Sequence, residues 1–154
     1  MAIRIIRKKD DPDLRKKCSE VKEITPQIIA ILEDMAETMY YNDGVGLAAN
    51  QVGIPKQLVV IDLMDDEGLI ELVNPKIIQV EGKEVEAEGC LSFPGIVGEV
   101  VRAKKVTVEA LNREGKKIKV TGSGLFARAL QHELDHLEGK LFVDKVIRFL
   151  EPSE

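Results

Sequence analysis

Residues 122–139 read GSGLFARALQHELDHLEG. A helical period runs from Leu125 to Glu138, with Ser123 as a candidate N-cap and Gly139 as a candidate closing residue in the left-handed conformation. With Leu125 at zero and ~100° per residue, Ala129, His132 and His136 fall within about 40° of it, whereas Phe126, Leu130, Leu134 and Leu137 lie roughly 100–180° away. The helix therefore carries two stripes. One is wholly apolar and is predicted to face a core. The other runs from Leu125 and Ala129 into two histidines, so it is predicted to line a buried site, with Leu125 and Ala129 as walls of an apolar pocket.

The chain ahead of this helix is rich in strand patterns. Gln57–Met64 reads as a mostly buried strand, ended by Asp65-Asp66-Glu67-Gly68. Further strands are expected over Leu69–Val73, Ile77–Val80, Val85–Leu91, Val97–Arg102 and Val106–Leu111, with a short first strand at Ile3–Ile6. Asn112-Arg113-Glu114-Gly115 is a hairpin turn into Lys117–Val120. A second helix lies nearer the N-terminus. There Thr25 can cap, Pro26 suits the first helical position, and Ile28, Leu32, Met35 and Met39 recur at helical spacing up to Asn42-Asp43-Gly44. Strands followed by a closing helix predict an α+β fold, with mostly antiparallel sheets packed around the histidine-bearing helix. No internal repeat or low-complexity linker divides the sequence, so 1–154 is expected to form a single domain.

Composition excludes several classes of function. A net charge of −5 argues against nucleic acid as the main partner. No apolar run approaches the ~20 residues of a membrane span, and the N-terminus lacks the apolar segment of a secretory signal. Two cysteines, Cys18 and Cys90, are too few for a disulfide scaffold, so a reduced, cytoplasmic chain is expected.

His132-Glu133-Leu134-Asp135-His136 is an H-E-x-x-H pattern. Histidines at i and i+4 share a helix face, and both rings can reach one metal ion. Glu133 lies at the edge of that face, where it can hold a water and take its proton. A catalytic site usually has three protein ligands and an open position. No third histidine exists, so the third ligand is a cysteine or a carboxylate. Cys90 follows Gly89, which permits close backbone approach, and a strand can deliver its thiolate. Cys18, in a basic segment, has no such cue. Free cysteine is also commonly a small buried apolar residue.

Gly44-Val45-Gly46-Leu47-Ala48-Ala49 superficially matches a dinucleotide loop. That motif needs a strand before it and a helix after it, and here the order is reversed. The backbone at Gly44 and Gly46 instead suits close contact with a peptide or a metal site. Gln51 follows, either an ordinary loop residue or an amide donor to a developing oxyanion.

Together, Gly44–Gln51, Glu88-Gly89-Cys90-Leu91-Ser92 and Gln131–His136 make this chain resemble the peptide deformylases, from Ile5 to about Val146. The resemblance implies removal of the formyl group from the N-terminal N-formylmethionine of new polypeptides. It implies Cys90, His132 and His136 as metal ligands and Glu133 as general acid and base. An oxyanion hole would come from the Gln51 side chain and the Leu91 N–H. The implied cofactor is one divalent ion, Fe(II) natively, with Zn(II) or Ni(II) able to take its place. The substrate would lie extended along Val45, Gly46 and Gly89, its methionine side chain in a pocket lined by Val45, Leu125, Ala129 and the His132 ring. The implied partners are N-formylmethionyl peptides and nascent chains near the ribosome. Some relatives dock there with a longer C-terminal helix, beyond the point where this chain stops at Glu154.

Arg102 and Glu88 are read either as an ion pair that supports the Cys90 strand or as two solvated surface charges. Arg128, about 60° from Leu125 on the helical wheel, is expected at the rim or the surface. Two other readings share the H-E-x-x-H pattern. A zinc endopeptidase would need a further downstream ligand motif, which is not evident. A non-catalytic, metal-stabilised binding module would need neither Glu133 nor Gln51.

Overall fold

A computed structural model describes residues 2–151. The elements run α1 (Pro26–Tyr41), β1 (Gly46–Ala48), β2 (Leu58–Ile61), β3 (Ile70–Glu81), β4 (Glu84–Cys90), β5 (Phe93–Arg102), β6 (Lys105–Leu111), β7 (Lys117–Ser123), α2 (Gly124–Leu137) and β8 (Val146–Leu150). They form a five-stranded sheet in the order β1-β2-β3-β6-β7 and a three-stranded sheet in the order β4-β5-β8. Every pairing within the two sheets is antiparallel. The fold is α+β, as the order of patterns predicts.

Each helix is placed by its apolar stripe. In α1, Pro26 occupies the first turn and the Thr25 hydroxyl accepts the Ile28 N–H at 3.3 Å. Its Leu32, Met35 and Met39 are fully buried and pack with Leu47, Leu58 and Val60 of the large sheet. Leu130, Leu134 and Leu137 of α2 bury against Val59, Ile61, Val106 and Val108. A smaller cluster of Leu14, Phe93, Val100, Leu141 and Phe142 packs beneath the three-stranded sheet. Phe142 reaches the histidine stripe, its ring centroid 5.8 Å from that of His132.

Several local expectations are corrected. Ile3–Ile6 forms no strand. The Ala2 and Arg4 N–H groups instead donate to the Asp34 carboxylate and the Thr38 hydroxyl of α1, which occupies that backbone without a ladder. The strands expected at Leu69–Val73 and Ile77–Val80 are one long strand, β3, with a register shift between Val73 and Lys76. Pro75, which has no N–H to donate, lies at that shift beside Asn74 (φ 52°). Ser123 holds the N-cap position of α2, but its hydroxyl makes no capping bond. β1 and β8 are too short or too exposed to announce themselves by alternation.

Gly139 ends α2 at φ 74°, and a Cβ there would press on the Arg15 carbonyl. The Gly139→Ala protein is therefore expected to lose about 2–4 kcal/mol of stability. Urea unfolding at equal metal occupancy checks this, and an unchanged midpoint would refute the steric account.

Candidate active site

Two open sheet edges frame a cleft of about 370 Å³. β1 is an edge strand of the large sheet and β4 an edge strand of the small one. The Val45 carbonyl accepts the Asp62 N–H at 2.9 Å. Hydrogen-bonded and non-bonded pairs alternate along an antiparallel ladder, so Gly46, opposite Ile61, turns its own N–H and carbonyl away from β2. Val45 therefore has its carbonyl engaged in the sheet, and Gly46 supplies the free backbone edge. Val45, Gly46, Gly89, Leu91, Leu125 and Ala129 all line the cleft.

Three ligand-type side chains converge at its base. β4 pairs regularly with β5 up to Glu88, then shifts register so that Cys90 lies opposite Phe93. That irregularity brings the Cys90 sulfur to 3.4 Å from His136 Nε2. Ligand atoms of Cys90, His132 and His136 all lie within 4.8 Å of one another. Both histidines are buried, as the continuous stripe predicts. Burial pushes the His136 imidazole well below its ordinary pKa, whereas at His132 burial is outweighed by the Cys90 thiol, Glu133 and Glu88, which push the ring up to about 10. Among the described residues, His136 Nδ1 is buried without a hydrogen-bond partner, while His132 Nδ1 lies 2.9 Å from Glu88 Oε1 and leaves Nε2 free. One thiol and two imidazoles fit a divalent transition metal such as zinc or iron.

Glu88 is the charge behind His132. Burial would push its carboxyl up, but hydrogen bonds from Arg102 and His132 outweigh that and hold it well below the usual carboxylate range. The Arg102–Glu88 ion pair is present and two-pronged, at 2.8 and 2.9 Å. Arg102 also donates to Asp135 at 2.6 Å.

Glu133 is buried, and among the described residues its Oε1 has no hydrogen-bond partner. Burial pushes this carboxyl up to about 7. Gly46 lies so near that a Cβ there would sit 2.6 Å from Glu133 Oε2. The glycine thus has a steric reason as well as a backbone one. The Gln51 amide is oriented by two bonds: its oxygen accepts the Ala48 N–H at 3.0 Å, and its nitrogen donates to the Ser92 hydroxyl at 3.1 Å. The same nitrogen faces the Cys90 sulfur at 3.6 Å, and so the metal side of the cleft.

Arg128 is not at the rim or the surface. It is buried, and its guanidinium donates to Glu88 and to two backbone carbonyls. Its wheel position was legible, but the strands that cover it were not. Nor does the sequence around Ser92 signal that its hydroxyl holds the Gln51 amide. Asn50, whose side-chain amide donates to the His136 carbonyl, had no local signal. Cys18 stays outside the site. It is buried in the α2 core, its N–H bonded to the Leu137 carbonyl, and burial pushes its thiol up to about 11.

The sequence profile of the family described as polypeptide deformylase matches residues 3–151. The chain belongs to the peptide deformylase family. A peptide deformylase of Caldanaerobacter subterraneus subsp. tengcongensis is 64% identical over 154 residues, covering 100% of this chain and 96% of that protein. The crystal structure of a peptide deformylase from Legionella pneumophila superposes with a TM-score of 0.92 at 48% identity, over 94% of this chain and 86% of that one. A peptide deformylase from Synechococcus elongatus, crystallised in complex with actinonin, gives a TM-score of 0.89 at 43% identity, over 92% and 78% of the two chains. Gly44–Gln51, Glu88–Ser92 and Gln131–His136 each contribute residues to this cleft or to the ligand cluster at its base.

Proposed function

We propose that residues 1–154 act as one catalytic unit that hydrolyses the formyl amide of N-formylmethionyl peptides, giving formate and a free N-terminus. The convergence of Cys90, His132 and His136 beside a buried carboxylate with an unpartnered oxygen supports this reading above all. Cys90, His132 and His136 would hold one divalent ion. Iron(II) is the proposed native metal, by kinship, and the donor set also accommodates zinc(II) or nickel(II). When bound, such an ion supplies Lewis acidity to the water and to the formyl carbonyl.

The remaining chemistry belongs to the chain. Glu133 Oε1 accepts the proton of the attacking water as the new C–O bond forms. The Gln51 amide and the Leu91 N–H donate to the carbonyl oxygen as it gains charge. Glu133 then returns the proton to the amine nitrogen as the C–N bond breaks. The peptide would lie extended between the edges at Gly46 and Gly89, a form of strand addition. Its methionine side chain would enter the pocket formed by Val45, Leu125 and Ala129. The proposed setting is the cytoplasm, near ribosomes, with nascent chains as substrate. Among the described residues, no helix is long and apolar enough to cross a membrane.

Anaerobic purification, metal analysis and formate release from formyl-Met-Ala-Ser test the proposal. One formate per new N-terminus is expected, with inhibition by actinonin. Internal cleavage would indicate an endopeptidase, and bound metal without any product a binding module.

A further inference from the structure

On α2, Arg128 and His132 stand four residues apart, and their side chains take different oxygens of one carboxylate. Arg128 Nη1 donates to Glu88 Oε2 at 2.6 Å, while His132 Nδ1 lies 2.9 Å from Glu88 Oε1. Residues at i and i+4 share a helix face, so one rigid turn of α2 grips both ends of the Glu88 carboxylate. Arg102 of β5 reaches the same carboxylate through a different pair of bonds, Nε to Oε2 and Nη2 to Oε1. Arg128 has further work at its guanidinium. Nη1 also donates to the Val100 carbonyl of β5 at 2.9 Å, and Nη2 to the Glu84 carbonyl of β4 at 3.0 Å. Its side chain is only 7% exposed.

Arg102 brings a positive charge to Glu88 but shares it with Asp135, so charge alone does not set Arg128 apart. A second buried guanidinium beside the first is opposed by desolvation and by like-charge repulsion. Its geometry gives it a separate use. Arg102 ties the carboxylate to β5, whereas Arg128 ties it to the same helical turn that carries His132. The carboxylate therefore cannot shift relative to the imidazole without breaking a bond to α2.

We propose that Arg128 is a positioning residue of the metal centre: by clamping Glu88 to α2 it holds the His132 ring with Nε2 directed towards Cys90 and His136. The proposal rests on the reading of Cys90, His132 and His136 as ligands.

The test uses cobalt(II)-loaded full-length protein, read by its visible absorption and by the rate of metal release to EDTA. Arg128→Met keeps a long apolar stem and removes every donor. Release from this variant is expected to accelerate about 10- to 100-fold, with shifted ligand-field bands. Because the clamp acts through Glu88, Arg128→Met made on top of Glu88→Gln should change release less than about threefold. Parental release and spectrum in Arg128→Met would overturn the proposal, and so would an equal acceleration in both backgrounds, which would mark a packing role. If Arg128→Met does not fold, Arg128→Lys decides, because lysine keeps the charge without spanning Glu88 and both carbonyls. Accelerated release from Arg128→Lys supports the clamp, and parental release overturns it. Failure of the ligand reading is separately visible, as a Cys90→Ser protein whose cobalt spectrum matches the parent's.

Discussion

Glu133→Gln protein is expected to hold metal as the parent does and to release formate about 10³-fold more slowly, within the 10²–10⁴ range of general acid–base contributions. Glutamine matches glutamate in size, so the tight fit beside Gly46 survives. Cys90, His132 and His136, the gathered ligand set, do not include Glu133, so metal content should not move. What disappears is a proton acceptor. In the parent, burial pushes the Glu133 carboxyl up to about 7, which suits a group that must both take and return a proton near neutrality. Its Oε1 is buried and makes no other bond, so that oxygen is free for water. KM should change little, because the carboxylate acts on the water and not on the peptide. Full turnover in a metal-replete Glu133→Gln protein would remove Glu133 from the mechanism.

A Gln51→Leu protein should lose about 10²–10³ in kcat, the usual loss for a single oxyanion-hole donor, with KM nearly unchanged. The Gln51 amide cannot flip without losing the Ala48 N–H at its oxygen and the Ser92 hydroxyl at its nitrogen. The second amide hydrogen is thereby aimed at the metal side of the cleft before substrate arrives. Leucine fills much of the space but leaves the Ala48 N–H and the Ser92 hydroxyl unpaired, so stability should also fall by about 1–3 kcal/mol. Separate measurements of kcat, KM and urea midpoint distinguish the two effects. A fall in stability with kcat intact would leave Gln51 a purely structural residue.

Features set by neighbours within a turn or two were legible from the amino acids alone. The 3.6-residue period of α2 separates the core stripe from the histidine stripe whatever packs against it; Leu130, Leu134 and Leu137 on one face and Ala129, His132 and His136 on the other are buried, whereas Leu125, at the start of the histidine stripe, is exposed. Thr25 and Pro26 begin α1 through a bond three residues away. Gly139 closes α2 because its own φ requires it. The H-E-x-x-H chemistry is likewise contained in one helical turn, since two imidazoles at i and i+4 must share a face.

Features set by distant chain were not legible in the same way. Ile3–Ile6 has a strand-like run of residues, yet side chains of α1 take the N–H of Arg4 within it and of Ala2 just before it. Arg128 is charged and sits off the stripe, so local pattern places it at the surface; β4 and β5 bury it by supplying Glu88 and two carbonyls. A helical period defines only which residues look in one direction. Which partners stand there depends on contacts between residues far apart in the chain, and for Arg128 and the Cys90 sulfur those were decided by how the edge of the small sheet meets α2.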